Sequence, residues 1–326
     1  MIEKIKKIYL SKNESLNSGA LLTFKKLPTF ISRDISLAPK IFVTFNDGKA
    51  VDIIKTADES TSVFVHKIIR KEYATIKFLS KFERIKKTIP TIKYFGKIDD
   101  LYPVLIENFI DGQLLNGLIP DADTEKTRQY FCSAVSWLKD LAKETVNENC
   151  FIDIFNKQKK NLEVFEQYFG HQFSDIISNL NITDQINVPK ICRHGDFFIS
   201  NLFVDKQGQI VGVIDFEDFS KIGVPLEDLF NFIVTYLFAL ERNNKLKFFD
   251  KRFFKQITHE VIDDYNMLFK LSDTQISSIF KYYWLASINR QMSKYRKNIQ
   301  IAIFRISKLV KKPKTIFDFI NIVFEE

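Results

Sequence analysis

The sequence predicts an α+β protein in two parts, a strand-rich N-terminal lobe over residues 1–107 and a larger, mainly helical C-terminal lobe over residues 108–326. Three observations carry this reading. Apolar runs flank the tight-turn triplet Asn46-Asp47-Gly48, giving a hairpin of Lys40–Phe45 with Ala50–Lys55. Apolar residues recur at spacings of three and four from Val63 to Phe82, which gives the one main helix of the first part. After Pro225 the spacing is helical to the end, over roughly 225–240, 247–269, 273–297, 299–310 and 315–324. A chain of 326 residues is long enough for two lobes, each with its own core.

The remaining elements follow in order. Ile92–Phe95 and Tyr102–Ile106 read as further strands of a small antiparallel sheet. Thr124–Ala142 is helical, with Asp121 and Asp123 as candidate caps, and Ile152–Phe169 is a second helix. Asn201–Val204 and Ile210–Ile214 are short strands joined by a turn at Lys206–Gln209. Leu229–Leu240, the most apolar run, is too short to span a bilayer and reads as a buried helix. Tyr282-Tyr283-Trp284 lies on a late helix, where consecutive side chains point in different directions; core packing with one exposed ring is expected.

Composition narrows the function classes. The three cysteines, Cys132, Cys150 and Cys192, show no paired spacing, which argues against a disulfide framework or a zinc site and fits a reducing cytoplasm. The opening Met1–Lys7 lacks the apolar core of a secretory signal. Residues 241–326 hold 17 Lys and Arg against 9 Asp and Glu, an excess equal to the whole net charge of +8. That charge reads as a solvated basic face, or as attraction to an anionic acceptor or peripheral contact with an anionic surface. Arg290 and Lys294, four apart on one helix, are candidates for binding such an acceptor. No recognition motif for nucleic acid is present, and no specific nucleic-acid partner is expected.

The chemistry sits between Ile191 and Asp218. His194-Gly195-Asp196 is followed by Asn201, and Ile214-Asp215-Phe216-Glu217 ends the second short strand. A carboxylate, an amide five positions on, and a second carboxylate at the end of an apolar run are the parts of a Mg-nucleotide phosphotransfer site. Asp196 is the candidate for orienting the acceptor hydroxyl. Asn201 and Asp215 offer oxygen ligands for Mg2+, and the expected hairpin brings them to the same end of its two strands. His194 is expected to hydrogen-bond backbone and shape the loop rather than to act as a base.

These motifs resemble those of the aminoglycoside phosphotransferase and choline kinase superfamily, small-molecule kinases with a protein-kinase-like two-lobed fold. In that family HGDxxxxN is the catalytic loop and I-D-F/W-E/G the metal segment. The resemblance runs from about residue 40 to about residue 240. It implies that Lys55 contacts the nucleotide phosphates, in preference to nearby Lys49 and Lys67, and that Glu72 is its ion-pair partner. It places a hinge at Ile106–Gly112, where backbone groups around Glu107 and Phe109 would read the base, and it makes Glu217 a second-metal or acceptor-contacting residue. Gly223–Leu229 matches a segment that follows the metal site. The implied cofactors are Mg2+ and ATP, with GTP as the alternative donor, and the implied partner is a small-molecule acceptor. One feature departs from the pattern: Leu21–Ser36, where a phosphate-covering hairpin is expected, contains no glycine.

The leading expectation is a Mg-ATP-dependent kinase acting on a hydroxyl of a sugar, amino alcohol or related metabolite. The alternative is a kinase-fold binding protein without turnover, motivated by the missing glycines.

Overall fold

The computed structural model describes residues 2–12, 22–27, 38–169, 186–245 and 250–294. The expected helices at 299–310 and 315–324, and most of the glycine-free segment, lie outside the described residues. The chain divides into two compact units. The first comprises residues 1–113, 201–205 and 210–219; the second comprises 114–200, 206–209 and 220–326.

The first unit is built on a five-stranded antiparallel sheet of β1 (Leu22–Lys26), β2 (Lys40–Asn46), β3 (Lys49–Thr56), β4 (Ile92–Ile98) and β5 (Tyr102–Asn108), in the order β1-β2-β3-β5-β4. The turn between β2 and β3 pairs Asn46 with Lys49 across Asp47 and Gly48, both at positive φ. That is the backbone a two-residue hairpin demands, and Asp-Gly supplies it at low cost. Helix α2 (Val63–Leu79) lies against one sheet face, burying Val65 and Ile69 with Ala57 and Leu105. The other face buries Phe42, Ile54, Val104 and Ile106 against Ile5 and Tyr9 of helix α1 (Ile2–Lys12). The expectation of a single main helix in this part is therefore corrected. Ile2, Ile5 and Tyr9 have helical spacing, but the many lysines around them mask it. A buried carboxylate helps seat α1: Tyr9 donates to Asp52 on β3 at 2.6 Å, and Lys93 lies 2.6 Å from the other oxygen.

The hairpin Leu202–Val204 with Ile210–Val213 belongs largely to this first unit. It is fastened there by Val213 N–H donating to the Thr88 carbonyl at 2.7 Å. Phe216–Asp218 continues from it as a 3-10 turn rather than as strand.

The second unit is mainly helical. The Thr124–Thr145 helix is capped by Asp123, which accepts from Lys126 N–H at 2.8 Å. Phe131 of that helix meets the rings of Phe232 and Tyr236 of the Glu227–Arg242 helix and Phe254 of the Lys251–Asn266 helix, all buried. Strand Asn187–Arg193 pairs with Asn147–Asp153 on one side and Ser220–Gly223 on the other. These three strands are absent from the sequence reading, which starts a helix at Ile152; that helix begins at Ile154. Tyr282, Tyr283 and Trp284 are all buried, which corrects the expectation of one exposed ring. Their helix, Asp273–Lys294, packs against both Ile154–Phe169 and Glu227–Arg242, so more than one of its faces is covered. Among the described residues no helix is long and apolar enough to cross a membrane.

Candidate active site

Strand register sets the position of Lys55. In β3 it pairs with Leu105 of β5, while Ile53 pairs with Glu107. Directly opposed residues share a face and residues two apart share a face, so Lys55, Leu105 and Glu107 all point toward α2. There Lys55 Nζ lies 2.5 Å from Glu72 Oε1 and 2.7 Å from Glu107 Oε1. Glu72 and Glu107 are almost fully buried and Lys55 nearly so. Burial pulls the lysine pKa down, but the carboxylates of Glu107 and Glu72 outweigh it and hold the pKa above the ordinary lysine value. Lys55 therefore stays charged across the working pH range. Lys49, its competitor in the sequence, begins β3 on the exposed side of the hairpin turn.

The residues expected to form a hinge are partly committed within the protein. Glu107 lies inside β5, flanked in register by Ile53 and Ile92. Phe109 donates its N–H to the Val51 carbonyl at 2.7 Å. The Phe109 carbonyl accepts from the Asn108 side chain at 3.2 Å, which leaves that oxygen a second lone pair.

The hairpin sets Asn201 against Asp215. Leu202 pairs with Val213, and Ile214 N–H donates to the Asn201 carbonyl at 3.0 Å. Asp215 follows Ile214 directly, so amide and carboxylate emerge at the same open end. Asp215 has φ +66 and ψ +64, a left-handed backbone that non-glycine residues adopt at a cost. Glu217 lies in the turn that follows, where its carbonyl accepts from Lys71 of α2. Among the described residues no three His, Cys, Asp or Glu side chains could hold a metal by themselves. Few protein ligands, all hard oxygens, suit Mg2+, which keeps waters and shares its coordination with substrate phosphates. The donor set of Asn201, Asp215 and Glu217 fits that ion.

The Asp196 loop belongs to the second unit and is held by different means. Gly195 has φ +85, a conformation open to glycine and strained for other residues. The His194 and Gly195 amides donate to the two oxygens of Asp228, at 2.6 and 2.9 Å. Asn231 and Arg290 donate to the Gly195 carbonyl, at 3.4 and 3.2 Å. His194 is fully buried, and its Nδ1 accepts from the Asp196 N–H at 3.3 Å. The imidazole thus shapes the loop. Below it, Phe197 stacks on Trp137 with ring centroids 5.1 Å apart. Burial raises the Asp228 carboxyl above its ordinary pKa, against the pull of Arg193, the two amides and Arg290. Arg193 itself pairs with Glu227 at 3.2 Å.

Two contributions were not readable as such from the sequence. Asp228 lies in the Gly223–Leu229 segment singled out there, yet nothing in it revealed that its side chain caps the loop amides. The side chain of Glu107 would have been found by counting the β3–β5 register from Lys55.

Residues 155–253 match the model of the phosphotransferase enzyme family, APH. No curated protein matches the chain in sequence. Among solved structures, a GDP complex of a variant aminoglycoside 2'-phosphotransferase-IIIa aligns with TM-score 0.62 at 15% identity, over 95% of this chain and 97% of the other. The aminoglycoside phosphotransferase APH(4)-Ia, in a complex with ADP and hygromycin B, gives 0.56 at 11% identity over 94% and 98%. ADP-bound aminoglycoside phosphotransferase APH(2'')-Ib gives 0.53 at 13% identity over 98% of each chain. The family match spans His194–Asn201 and Ile214–Glu217, and the solved structures show that the chain has the kinase-like α+β fold of the aminoglycoside phosphotransferases it resembles.

Proposed function

We propose that the protein is a Mg-nucleotide-dependent kinase that transfers a γ-phosphoryl group to a hydroxyl of a small molecule such as a sugar or amino alcohol. The observation that carries this is the convergence of Asn201 and Asp215 at the open end of one hairpin, in the unit that also holds the Lys55–Glu72 pair. Lys55 steadies the nucleotide phosphates. Asn201 and Asp215, with Glu217 in the turn that follows, would hold Mg2+, which would neutralise charge on the phosphates. Asp196, presented by a loop fixed at both of its preceding amides, orients the acceptor hydroxyl and takes its proton. The base edge is read by backbone from Phe109 onward, through the Phe109 carbonyl and the residues that follow, because the Phe109 amide is already engaged. ATP is the expected donor, with GTP as the alternative. Three free cysteines support a reducing, cytoplasmic setting.

Thermal melting with and without Mg-ATP and Mg-GTP tests the site. A rise in melting temperature in the wild type that is lost in Asp215→Ala is expected, since a ligand of the folded state must stabilise it. Asp196→Asn should keep that nucleotide-induced rise while phosphate transfer falls by about 10²–10⁴-fold. Undiminished turnover in Asp196→Asn would remove Asp196 from its role. The acceptor is found by a hydroxyl-compound screen with sugars, amino alcohols and aminoglycosides as separate arms. The basic C-terminal region favours neutral or anionic acceptors over polycations, and phosphorylation of cationic alcohols alone would refute that preference.

A further inference from the structure

The charge buried around Lys55 does not balance. One ammonium faces two carboxylates, Glu72 at 2.5 Å and Glu107 at 2.7 Å. All three side chains are largely out of water, where uncompensated charge is costly. Glu72 alone would pair the ammonium, so Glu107 is surplus. Its second oxygen, Oε2, is buried with no hydrogen-bond partner among the described residues. A proton on that oxygen would remove the excess charge.

The surroundings leave few other ways to neutralise it. The charged groups facing Glu107 are Lys55 from β3 and Glu72 from α2. Its flanking register partners, Ile53 and Ile92, carry no charge. The inward residues Val65 and Ile69 of α2 are apolar; of the titratable rings on that side, Tyr73 is stacked on Phe95 at 3.9 Å and His66 meets Tyr102 edge-on at 5.9 Å.

Building on the reading of Lys55 as the phosphate-contacting lysine, we propose that Glu107 is a positioning residue for it, and that phosphate engagement of Lys55 is coupled to uptake of one proton from solvent by Glu107. With both carboxylates ionised, the cluster carries one net negative charge and repels incoming phosphates. Protonation leaves a neutral Lys55–Glu72 pair and removes one of the lysine's two charged tethers. Burial raises the Glu107 carboxyl, Lys55 opposes that rise, Glu72 adds to it, and the result is pushed up to about 7. The proton therefore exchanges near neutrality. Bound phosphates raise the value further, so nucleotide binds more tightly as pH falls.

The test is calorimetric titration of the full chain with Mg-ADP and, separately, Mg-GDP at pH 6.5, 7.5 and 8.5. Each titration is run in two buffers of different ionisation enthalpy, for wild type and Glu107→Gln. The wild type should take up a fraction of a proton at pH 7.5, and its Kd should fall several-fold from pH 8.5 to 6.5, at most about tenfold per pH unit. Glu107→Gln should lose that uptake and bind at pH 8.5 nearly as tightly as the wild type does at pH 6.5. Proton uptake by the nucleotide's own phosphates is common to both proteins and cancels. Should Glu107→Gln not fold, Glu107→Met, of similar volume, takes its place. Binding without proton uptake in the wild type, or with equal uptake in the variant, overturns the proton coupling alone. No binding of either nucleotide at any pH overturns the kinase reading and this inference with it.

Discussion

Lys55 in the first unit and the Asp196 loop in the second are held by opposite means. Lys55 is gripped by charge, with two buried carboxylates on a single ammonium and an acceptor oxygen left over. The loop is gripped through its backbone, by amides on Asp228, a carbonyl shared between Asn231 and Arg290, and an aromatic floor. An ionic grip responds to protons and to incoming charge. A backbone grip fixes geometry whatever charge arrives. The proposed kinase would need the first where phosphates are to bind and the second where the acceptor hydroxyl is to be oriented.

The largest effect that would break this contrast is at the lysine. Lys55→Met keeps the length of the side chain but leaves Glu72 and Glu107 buried without a cation, and unfolding in urea should show a loss of about 3–5 kcal/mol. A loss under about 1 kcal/mol would mean that the pair of carboxylates is hydrated and the ionic grip is illusory.

Asp228→Ala comes next. It strips two loop amides of their acceptor at a buried site, with an expected loss of about 2–4 kcal/mol and a larger proportional loss of turnover than of nucleotide binding. Equal losses in both would show that Asp228 holds the whole unit together and not the loop.

The smallest of the three is a pH effect confined to the first unit. The folded Glu107 carboxyl is raised to about 7 against an ordinary 4.5. The folded state therefore binds a proton between these values that the unfolded state does not. Its destabilising contribution is fully present above about 7 and fades as pH falls toward 4.5, so stability should rise by about 2 kcal/mol between about pH 8 and pH 5.5. Denaturant titrations at pH 8 and 5.5 measure it, and Glu107→Gln should flatten this component of the slope. An unchanged slope in the variant would assign it to other carboxylates.

What could be read from the sequence followed range. The Asn46-Asp47-Gly48 hairpin, helix α2 and the 202–213 hairpin were legible because each is specified by neighbouring residues. Strand Asn147–Asp153 was not, because it is mostly exposed and polar, and its partner Asn187–Arg193 lies far along the chain. Burial of Tyr282, Tyr283 and Trp284 together needed knowledge of two distant helices. At the candidate site the same division holds. The types and order of Asp196, Asn201 and Asp215 were legible, whereas the side-chain contact of Glu107 with Lys55 depends on cross-strand register, and the Asp228 clamp depends on tertiary approach.

Asp215 adopts a backbone that an aspartate holds only against its own preference. Selection for foldedness alone would favour glycine at this position. Asp215→Gly should relieve roughly 1 kcal/mol of that strain while removing the carboxylate, giving a protein no less resistant to heat yet inert as a catalyst. A drop in melting temperature for that variant would show that the aspartate also stabilises the fold. Otherwise robustness and chemistry are in conflict at this residue, and a consensus or stability-guided redesign of the chain would be drawn toward erasing it.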